Sequence, residues 1–485
     1  MGAARVVPPW APHASRAVAP YRERMSAESP STAPPRAASS RAALPRPSTA
    51  LLTDRYELTM LQAALADGTA ARHCVFEVFT RRLPPGRRYG VVAGTGRVLE
   101  AIADFQFTDD ELSFLSREGV VDRTTLDHLA RYRFQGSVTG YAEGECFFPG
   151  SPVMTVEGTF ADAVILETLV LSILNYDSAV ASAATRMTNA ALDRPCLEMG
   201  SRRAQEQAAV GAARAAIIAG FAGTSNLEAG RRYGLATIGT AAHAFTLVHD
   251  DERAAFTSQL AAAGPGTTLL VDTYDVRAGV ELAVELAGPR LGAVRLDSGD
   301  LTALAGEVRA QLDSLGAHKT KIVVSSDLDE YAIAALAAAP VDSYGVGTSV
   351  VTGSGAPTCG MVYKLVAREG ADGVLAPVAK ASAHKLSVGG RKAAARRLDA
   401  DGRAVEEVVL GGADQRVATW APTNSDLRPL HVPLIERGAI DTRWTGSAGV
   451  ARAVERHRAS RAELPRGARR LSAGDPAIPT VTVTL

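Results

Sequence analysis

The sequence predicts an α/β fold built on an irregular (β/α) barrel, and two observations lead to this prediction. Short apolar runs between Cys196 and Leu365 end in small and polar residues, and most are followed by an Ala-rich segment such as TALAGEVRAQLDSLG. Strands that alternate with helices of this length form βαβ units and a parallel sheet. Seven runs favour a barrel over an open doubly wound sheet. They end in LEMGSRR, AGFAGTSN, TIGTAAH, LLVDTYD, AVRLDSGD, IVVSSDL and YGVGTSVV.

Composition supports a folded chain and excludes several classes of protein. Apolar residues make up 46% of 485, which is enough for a large core. The 52 basic and 52 acidic residues cancel, so no global field favours nucleic acid or an anionic membrane. No apolar run reaches the length of a membrane span. The four cysteines lack CxxC spacing, which indicates free thiols in a reducing cytosol rather than a zinc site. We therefore expect a cytoplasmic protein.

The first 48 residues differ from the rest of the chain. They hold nine prolines, seven arginines and two acids, a composition that cannot bury enough apolar surface to fold. We expect a disordered leader over 1–48, with Met25 as an alternative start. Because the segment is rich in Arg and poor in acids, a transit peptide is a second interpretation.

Residues 49–195 are predicted to form an N-terminal α/β domain. LLTDRYELTMLQAALADG has helical spacing and ends on Gly68, and CVFEVFTRRLP then alternates like a strand. Short strands over 136–159 precede a long apolar helix pair, ADAVILETLVLSILNYDSAVASAATRM. The barrel core follows over 196–365. A β-rich segment over 366–450 is expected to pack with the N-terminal domain, and 451–485 is expected to be a peripheral tail.

Polar side chains cluster where the predicted barrel strands end, which is where such barrels place their active sites. Asp297, Asp300 and Asp327 have the oxygen atoms to hold ribose hydroxyls or a hydrated Mg²⁺. Asp300 is equally explained as the N-cap of the next helix. Arg295 and Arg202, with its neighbour Arg203, suit a carboxylate or phosphate, although salt bridges are the alternative for any one arginine.

Two further strand ends suit anion chemistry. Gly345, Gly347 and Thr348 in YGVGTSVVTG would leave backbone N–H groups and a hydroxyl free for a phosphate, or form a turn of small residues. No Walker-type GxxxxGK[ST] loop is present. His243 lies near Thr240 in GTAAHAF, and four interpretations are open for it: a general base, a phosphate ligand, a phosphoryl acceptor or a structural histidine.

Together these segments resemble the nicotinate phosphoribosyltransferase family. The motifs LLTDRYELTM, EMGSRRAQ, GTSNLEAGRRYG, GTAAHAF, VRLDSGDL and YGVGTSVVTG occur in family order between about Leu51 and Leu434. The resemblance implies a type II phosphoribosyltransferase fold, an irregular α/β barrel with a second α/β domain built from N-terminal and C-terminal segments. It implies transfer from 5-phosphoribosyl 1-pyrophosphate (PRPP) to nicotinate, coupled to ATP hydrolysis, in NAD salvage. It also implies Mg²⁺ and a homodimer with shared active sites.

The resemblance assigns roles to individual residues. It places Arg295 against the pyridine carboxylate or the diphosphate, Asp297 and Asp327 on the ribose hydroxyls, Gly347 and Thr348 on the 5-phosphate, Tyr56 on the pyridine ring from the partner subunit, Arg202 on the diphosphate, and Thr240 beside the substrate. His243 matches the histidine that ATP phosphorylates. Mg²⁺ is expected on the diphosphate, with Asp297 and Asp300 as candidate ligands.

Two positions depart from the family pattern. Met199 stands where close relatives have an aromatic residue on the second face of the pyridine ring. KASAHKLSVGGRK keeps Lys380 and Lys385 of a family loop but has Val388-Gly389-Gly390 where a proline is found.

Three alternative functions are open. Nicotinamide phosphoribosyltransferase carries an aspartate where Ser225 stands in GTSN, and a serine suits the acid better because it can donate to a carboxylate. A barrel lyase or isomerase acting on a sugar phosphate would need a Schiff-base lysine, for which Lys364 is the one weak candidate. A binding protein that has lost catalysis is the third class, but Asp297 and His243 are both present.

Overall fold

The computed structural model describes residues 47–380, 388–412 and 426–484, which belong to one compact unit. The strands are β1 (His73–Thr80), β2 (Gly90–Val91), β3 (Ser137–Tyr141), β4 (Cys146–Phe147), β5 (Met154–Thr159), β6 (Cys196–Glu198), β7 (Gly223–Thr224), β8 (Thr268–Leu270), β9 (Ala293–Leu296), β10 (Lys321–Ser326), β11 (Ser343–Val346), β12 (Met361–Glu369), β13 (Leu375–Pro377), β14 (Arg391–Leu398), β15 (Ala404–Gly412), β16 (Leu427–Pro429), β17 (His431–Glu436), β18 (Ala439–Ile440) and β19 (Thr480–Thr484).

The helices connect and flank these strands. They are α1 (Arg55–Asp67), α2 (Thr95–Ala103), α3 (Asp109–Arg117), α4 (Arg123–Arg131), α5 (Phe160–Val164), α6 (Glu167–Ala191), α7 (Glu206–Ile218), α8 (Leu227–Tyr233), α9 (His243–Leu247), α10 (Glu252–Ala263), α11 (Val276–Ala287), α12 (Leu301–Ser314), α13 (Glu330–Ala335), α14 (Thr348–Val351) and α15 (Gly446–Glu463). Within the described ranges, no helix has the length and apolar character needed to cross a bilayer.

The predicted barrel is present as a curled, open parallel sheet. Its six strands run β7-β6-β11-β10-β9-β8, and every neighbouring pair is parallel. A single bridge from Thr224 to Thr237 adds the TIGT segment beside β7, so all seven predicted runs take part. The irregular (β/α) barrel is therefore confirmed as a half-barrel with all its carboxyl ends at one edge.

A second, antiparallel sheet joins the two ends of the sequence. Its strand order is β13-β12-β1-β5-β3-β17-β18, so three strands from the N-terminal part lie between strands from beyond residue 360. β1 is central: Phe76 lies opposite Leu365 of β12 and Val156 of β5. This arrangement confirms the second α/β layer from N-terminal and C-terminal segments. The domain boundaries proposed at residues 196 and 366 stay a prediction.

Local sequence explains the elements that hold these sheets. α1 ends at Gly68, whose φ of 81° is a left-handed conformation that glycine adopts without steric cost. The 25-residue helix α6 contributes to both cores, with Leu169 to Leu174 in that of the antiparallel sheet and Val180 to Met187 in that of the half-barrel. β1 alternates in sequence, yet seven of its eight residues are buried because both of its faces are covered.

The expectation of a peripheral tail over 451–485 is wrong. α15 buries Ala453, His457 and Ser460, and β19 pairs in parallel with β15. Polar contacts of the tail explain the packing: Ser460 Oγ donates to the buried Glu145 and accepts from Arg396 (3.0 Å), and Arg456 Nε is 3.2 Å from Glu145 Oε2. The basic composition of the tail had suggested a solvated surface, but its polar groups complete a buried network.

Candidate functional site

A cavity of about 490 Å³ opens where the parallel strands end. Strands β6, β7, β9, β10 and β11 each deliver residues to it, because parallel strands bring their carboxyl ends to one edge of a sheet. Eight residues predicted from sequence line this cavity together: Arg202, Ser225, Thr240, Arg295, Asp297, Asp327, Gly347 and Thr348. Residues that are more than 140 positions apart in sequence thus meet at one site.

Arg295 is held in place from one side. Its Nη1 donates to Thr240 Oγ1 (2.5 Å) and to the carbonyl oxygen of Ala241 (3.1 Å). Its Nε is buried and has no hydrogen-bond partner among the described residues. A half-buried guanidinium that lines the cavity is suited to an incoming anion, because a planar carboxylate or phosphate can accept from its N–H groups directly.

Asp297 is fixed by groups that the sequence reasoning did not single out. Ser325 Oγ donates to Asp297 Oδ1 (2.5 Å). Asp272, in the LLVDTYD strand end, accepts at Oδ2 from the backbone N–H of Asp297 (2.8 Å) and from Ser298 Oγ (2.9 Å). The sequence indicates Asp272 as a site residue only through its position at a barrel strand end. Its contact with Asp297 depends on β8 and β9 being neighbours, and this strand order cannot be predicted from sequence spacing.

His243 lies beside these carboxylates as the first residue of α9. Its Nδ1 is 3.2 Å from Thr273 Oγ1. Its Nε2 is 3.9 Å from both Asp272 Oδ1 and Asp297 Oδ2, and 40% of its side chain is exposed. Asp272 Oδ1 is buried with no hydrogen-bond partner in the described part of the chain. The imidazole is thus oriented by Thr273 and remains accessible, which suits nucleophilic attack on a phosphoryl group.

The loop after β11 forms another wall of the cavity. Gly347 precedes α14, and Thr348 is its exposed first residue. Met199 packs closely on Gly345, because a Cβ at this position would lie 2.8 Å from Met199 Sδ. The thioether of Met199 therefore occupies the space above Gly345 and lines the cavity where an aromatic ring was expected from the family pattern.

Glu198, the last residue of β6, holds neighbouring residues of the cavity in position. Its fully buried carboxylate accepts from the Gly200 N–H and from Thr224 Oγ1 (2.5 Å each). Burial raises the pKa of Glu198, and these two hydrogen bonds oppose the shift in part. Its backbone carbonyl accepts from the Ser225 N–H at 2.8 Å. Glu198 thus fixes the two strand ends that present Met199 and Ser225.

Five candidate residues lie outside the cavity or outside the described part of the chain. Tyr56 is on α1, 44% exposed, and does not line the cavity within this chain. Asp300 caps α12 by accepting from the N–H groups of Thr302 and Ala303, in agreement with its alternative interpretation. Lys364 is in the antiparallel sheet, 3.8 Å from Glu167. Lys380 is described but does not line the cavity, and Lys385 lies outside the described residues.

Comparisons with known proteins agree with this geometry. Residues 51–175 match a family model described as nicotinate phosphoribosyltransferase N-terminal domain, and 195–387 match that of the nicotinate phosphoribosyltransferase family. Nicotinate phosphoribosyltransferase pncB1 of Mycobacterium tuberculosis is 55% identical over 89% of this chain and 95% of its own length. The enzyme of Bacillus subtilis is 38% identical, over 76% of this chain and 77% of the relative. The crystal structure of human nicotinic acid phosphoribosyltransferase superposes with a TM-score of 0.75 at 26% identity, covering 89% and 97% of the two chains.

Proposed function

The chain belongs to the nicotinate phosphoribosyltransferase family, and from this premise we propose how its strand-end cavity carries out the reaction. The enzyme joins nicotinate to PRPP and releases nicotinate mononucleotide and pyrophosphate, a step of NAD salvage. The observation that carries the assignment to this cavity is the meeting of Arg295, Asp297 and the Gly347–Thr348 loop around one space of about 490 Å³. A sugar that bears a phosphate at each end needs anion contacts on both sides of its hydroxyls.

The transfer step depends on fixed charges around the sugar more than on a residue that moves a proton. The bond from ribose C1 to pyrophosphate breaks, the bonding electrons leave with pyrophosphate, and cationic character builds on the sugar. Asp297, held by Ser325 and by Asp272 through its backbone, would orient the ribose hydroxyls without having to reorganise. The pyridine nitrogen supplies the new bond from its lone pair. Since that nitrogen carries no proton, the step requires no general base.

The anionic ends of the substrates are assigned to separate walls of the cavity. Gly347 and Thr348 would take the 5-phosphate, while Arg202 and Arg295 would face the diphosphate or the pyridine carboxylate. Ser225 lines the same cavity and can donate to a carboxylate. A serine at this position favours nicotinate over nicotinamide, because it adds no negative charge beside the acid.

Magnesium is proposed to enter with the diphosphate rather than in a protein cage. Among residues 47–380, 388–412 and 426–484 no group of three or more His, Cys, Asp or Glu side chains could hold a metal ion. Asp297 has the oxygen donors that Mg²⁺ prefers, whereas the carboxylate of Asp300 is used as a helix cap. When bound, the metal would neutralise charge on the departing pyrophosphate.

ATP coupling is assigned to His243. Phosphorylation would place a phosphoryl group beside Asp297, which lines the cavity and whose Oδ2 lies 3.9 Å from His243 Nε2. A high-energy phosphohistidine can link ATP hydrolysis to a change in affinity for PRPP. We further propose a cytoplasmic homodimer in which Tyr56 reaches the partner's cavity, because Tyr56 and Met60 of α1 are exposed and neither lines the cavity of its own chain.

The alternative functions have less support. Lys364 lies on β12 of the antiparallel sheet, beside Glu167, and among the described residues no lysine lines the cavity to serve a Schiff-base lyase. Nicotinamide phosphoribosyltransferase is the second candidate, and Ser225 is the residue that argues against it.

A direct assay tests the proposal. Purified protein is given radiolabelled nicotinate or nicotinamide with PRPP and Mg²⁺, with and without ATP, and labelled mononucleotide is counted. We expect product from nicotinate, faster with ATP. Product from nicotinamide at an equal or higher rate would assign the enzyme to the amide instead.

A further inference from the structure

A second, smaller cavity lies behind the loop that was assigned to the 5-phosphate. It has a volume of about 210 Å³, and Thr348 is the one residue in the described part of the chain that lines both cavities. The charged and hydroxyl-bearing residues that line it come from the loop after β1, from α6, from the start of α13 and from the segment that follows β11, and they include Arg87, Arg186, Asp329, Glu330, Ser349 and Thr352. None of these has a part in the transfer reaction described above.

Two buried arginines dominate this second cavity. Arg87 and Arg186 are each 6% exposed, and Glu330, at 3%, lies between them. Arg186 Nε donates to Glu330 Oε1 at 2.8 Å, whereas Arg87 Nη1 is 3.8 Å from the same oxygen. Glu330 also accepts from Ser354 Oγ (2.7 Å). The single buried carboxylate is therefore already engaged by Arg186 and Ser354.

Arg87 is left with incomplete compensation. Its hydrogen bonds within the described residues go to the carbonyl oxygens of Ser182 (2.9 Å) and Gly353 (2.6 Å), which are neutral. Burial lowers the pKa of the Arg87 guanidinium, Glu330 opposes that shift, and Arg186 adds to it. A buried cation beside a second cation is costly unless an anion approaches it.

The fourth charged group does not supply that anion. Asp329 Oδ1 accepts from the backbone N–H groups of Tyr331 (2.9 Å) and Ala332 (2.8 Å), where it caps α13. Ser349 and Thr352 add hydroxyl groups to the wall of the cavity. An oxyanion can accept hydrogen bonds from hydroxyls and guanidinium together, and a cavity of this size admits a tetrahedral one.

We propose that this cavity is an accessory binding site for a small oxyanion of the phosphate class, separate from the transfer site. Its occupant accepts hydrogen bonds from Arg87 and from the hydroxyl of Ser349. Because Arg87 also holds the Gly353 carbonyl, and Thr352 Oγ1 donates to the Thr348 carbonyl (2.9 Å), the occupant stabilises the segment that begins with Thr348. Inorganic phosphate bound at this site thus stabilises the loop after β11, which also lines the transfer cavity.

Equilibrium dialysis with radiolabelled inorganic phosphate tests the site. Arg87→Met removes the cation whose hydrogen bonds go to neutral carbonyls, and Arg88→Met is the matched control, since Arg88 contacts the Asp475 carbonyl and does not line the cavity. Arg202→Met reports on phosphate in the transfer cavity. We expect Arg87→Met to bind one phosphate per chain fewer than Arg88→Met, and Arg202→Met to keep the accessory phosphate.

A second variant tests the accessory site in case Arg87→Met does not fold. Tyr331→Glu adds a carboxylate at the cavity wall, on a side chain that is 54% exposed, in the first turn of α13 where an acid suits the helix. We expect it also to lose one phosphate. Equal stoichiometry in Tyr331→Glu, in Arg88→Met and in unaltered protein would overturn the site. Failure of the transfer function would appear separately, as an absence of nicotinate mononucleotide.

Discussion

Replacing Ser225 with aspartate should lower the use of nicotinate relative to nicotinamide through charge alone. Ser225 is half-buried, lines the transfer cavity, and is positioned by the hydrogen bond from its N–H to the Glu198 carbonyl. For two carboxylates held about 5 Å apart, the repulsion at an effective dielectric constant of about 20 is about 3 kcal/mol, and this is the magnitude expected if the aspartate faces the carboxylate of nicotinate. The cavity is open to solvent, so this value and not that of a dry interior applies.

Ser225→Asn is the matched control, since it has the shape of aspartate without the charge. We expect kcat/KM for nicotinate to fall about a hundredfold in Ser225→Asp and about tenfold or less in Ser225→Asn, with nicotinamide use gaining relative to the acid in the aspartate variant. The assay is steady-state formation of each mononucleotide at fixed PRPP and ionic strength. Equal losses in the two variants would refute the reasoning, because the effect would then be steric.

The remaining predictions concern phosphorylation, positioning and stability. His243→Ala should abolish phosphoenzyme formation from γ-labelled ATP and the stimulation by ATP while some transfer survives; a labelled protein would contradict this. Ser325→Ala should lower kcat/KM about tenfold or more with little change in Tm, because it removes a charge-assisted hydrogen bond to Asp297. Deleting residues 1–46 should leave Tm and activity unchanged, as their composition predicts; a loss of several degrees would count against it. Burial opposes the charge of Glu145, but the three arginines around it lower its pKa to about 2. Its stabilising effect is therefore full above about pH 5 and lost as the pH falls towards 2, so Tm should drop over that range more steeply than in Glu145→Gln.

Sequence patterns predicted the half-barrel because its signal is local. Each run of β9, β10 and β11 is apolar, ends in small or polar residues, and precedes a helix, and these features are visible within about 25 residues of chain. Cavity-lining residues followed from the same pattern, because carboxyl ends of parallel strands must share an edge. Thus Arg202, Asp297 and Thr348 could be placed together without knowing the strand order.

Features that depend on strand order or on contacts between distant segments could not be predicted from the sequence. Asp272 supports Asp297 only because β8 and β9 are neighbours, and Ser325 reaches the same carboxylate from β10. The tail was misjudged for a related reason. Its charges look solvated in sequence, yet Ser460 of α15 completes an ionic network with residues more than 300 positions away.

Substitution of Asp297, with Asp300 as its control, tests the central claim that the strand-end cavity holds the sugar of PRPP. Both variants change an aspartate to asparagine in the same DSGD segment, but Asp297 lines the cavity and Asp300 caps α12. We predict that Asp297→Asn lowers kcat/KM for PRPP by about a hundredfold or more at an unchanged Tm. Asp300→Asn should keep activity within a few-fold, since asparagine is also a good N-cap. Equal activity of the two variants, or a larger loss in Asp300→Asn, would contradict the account.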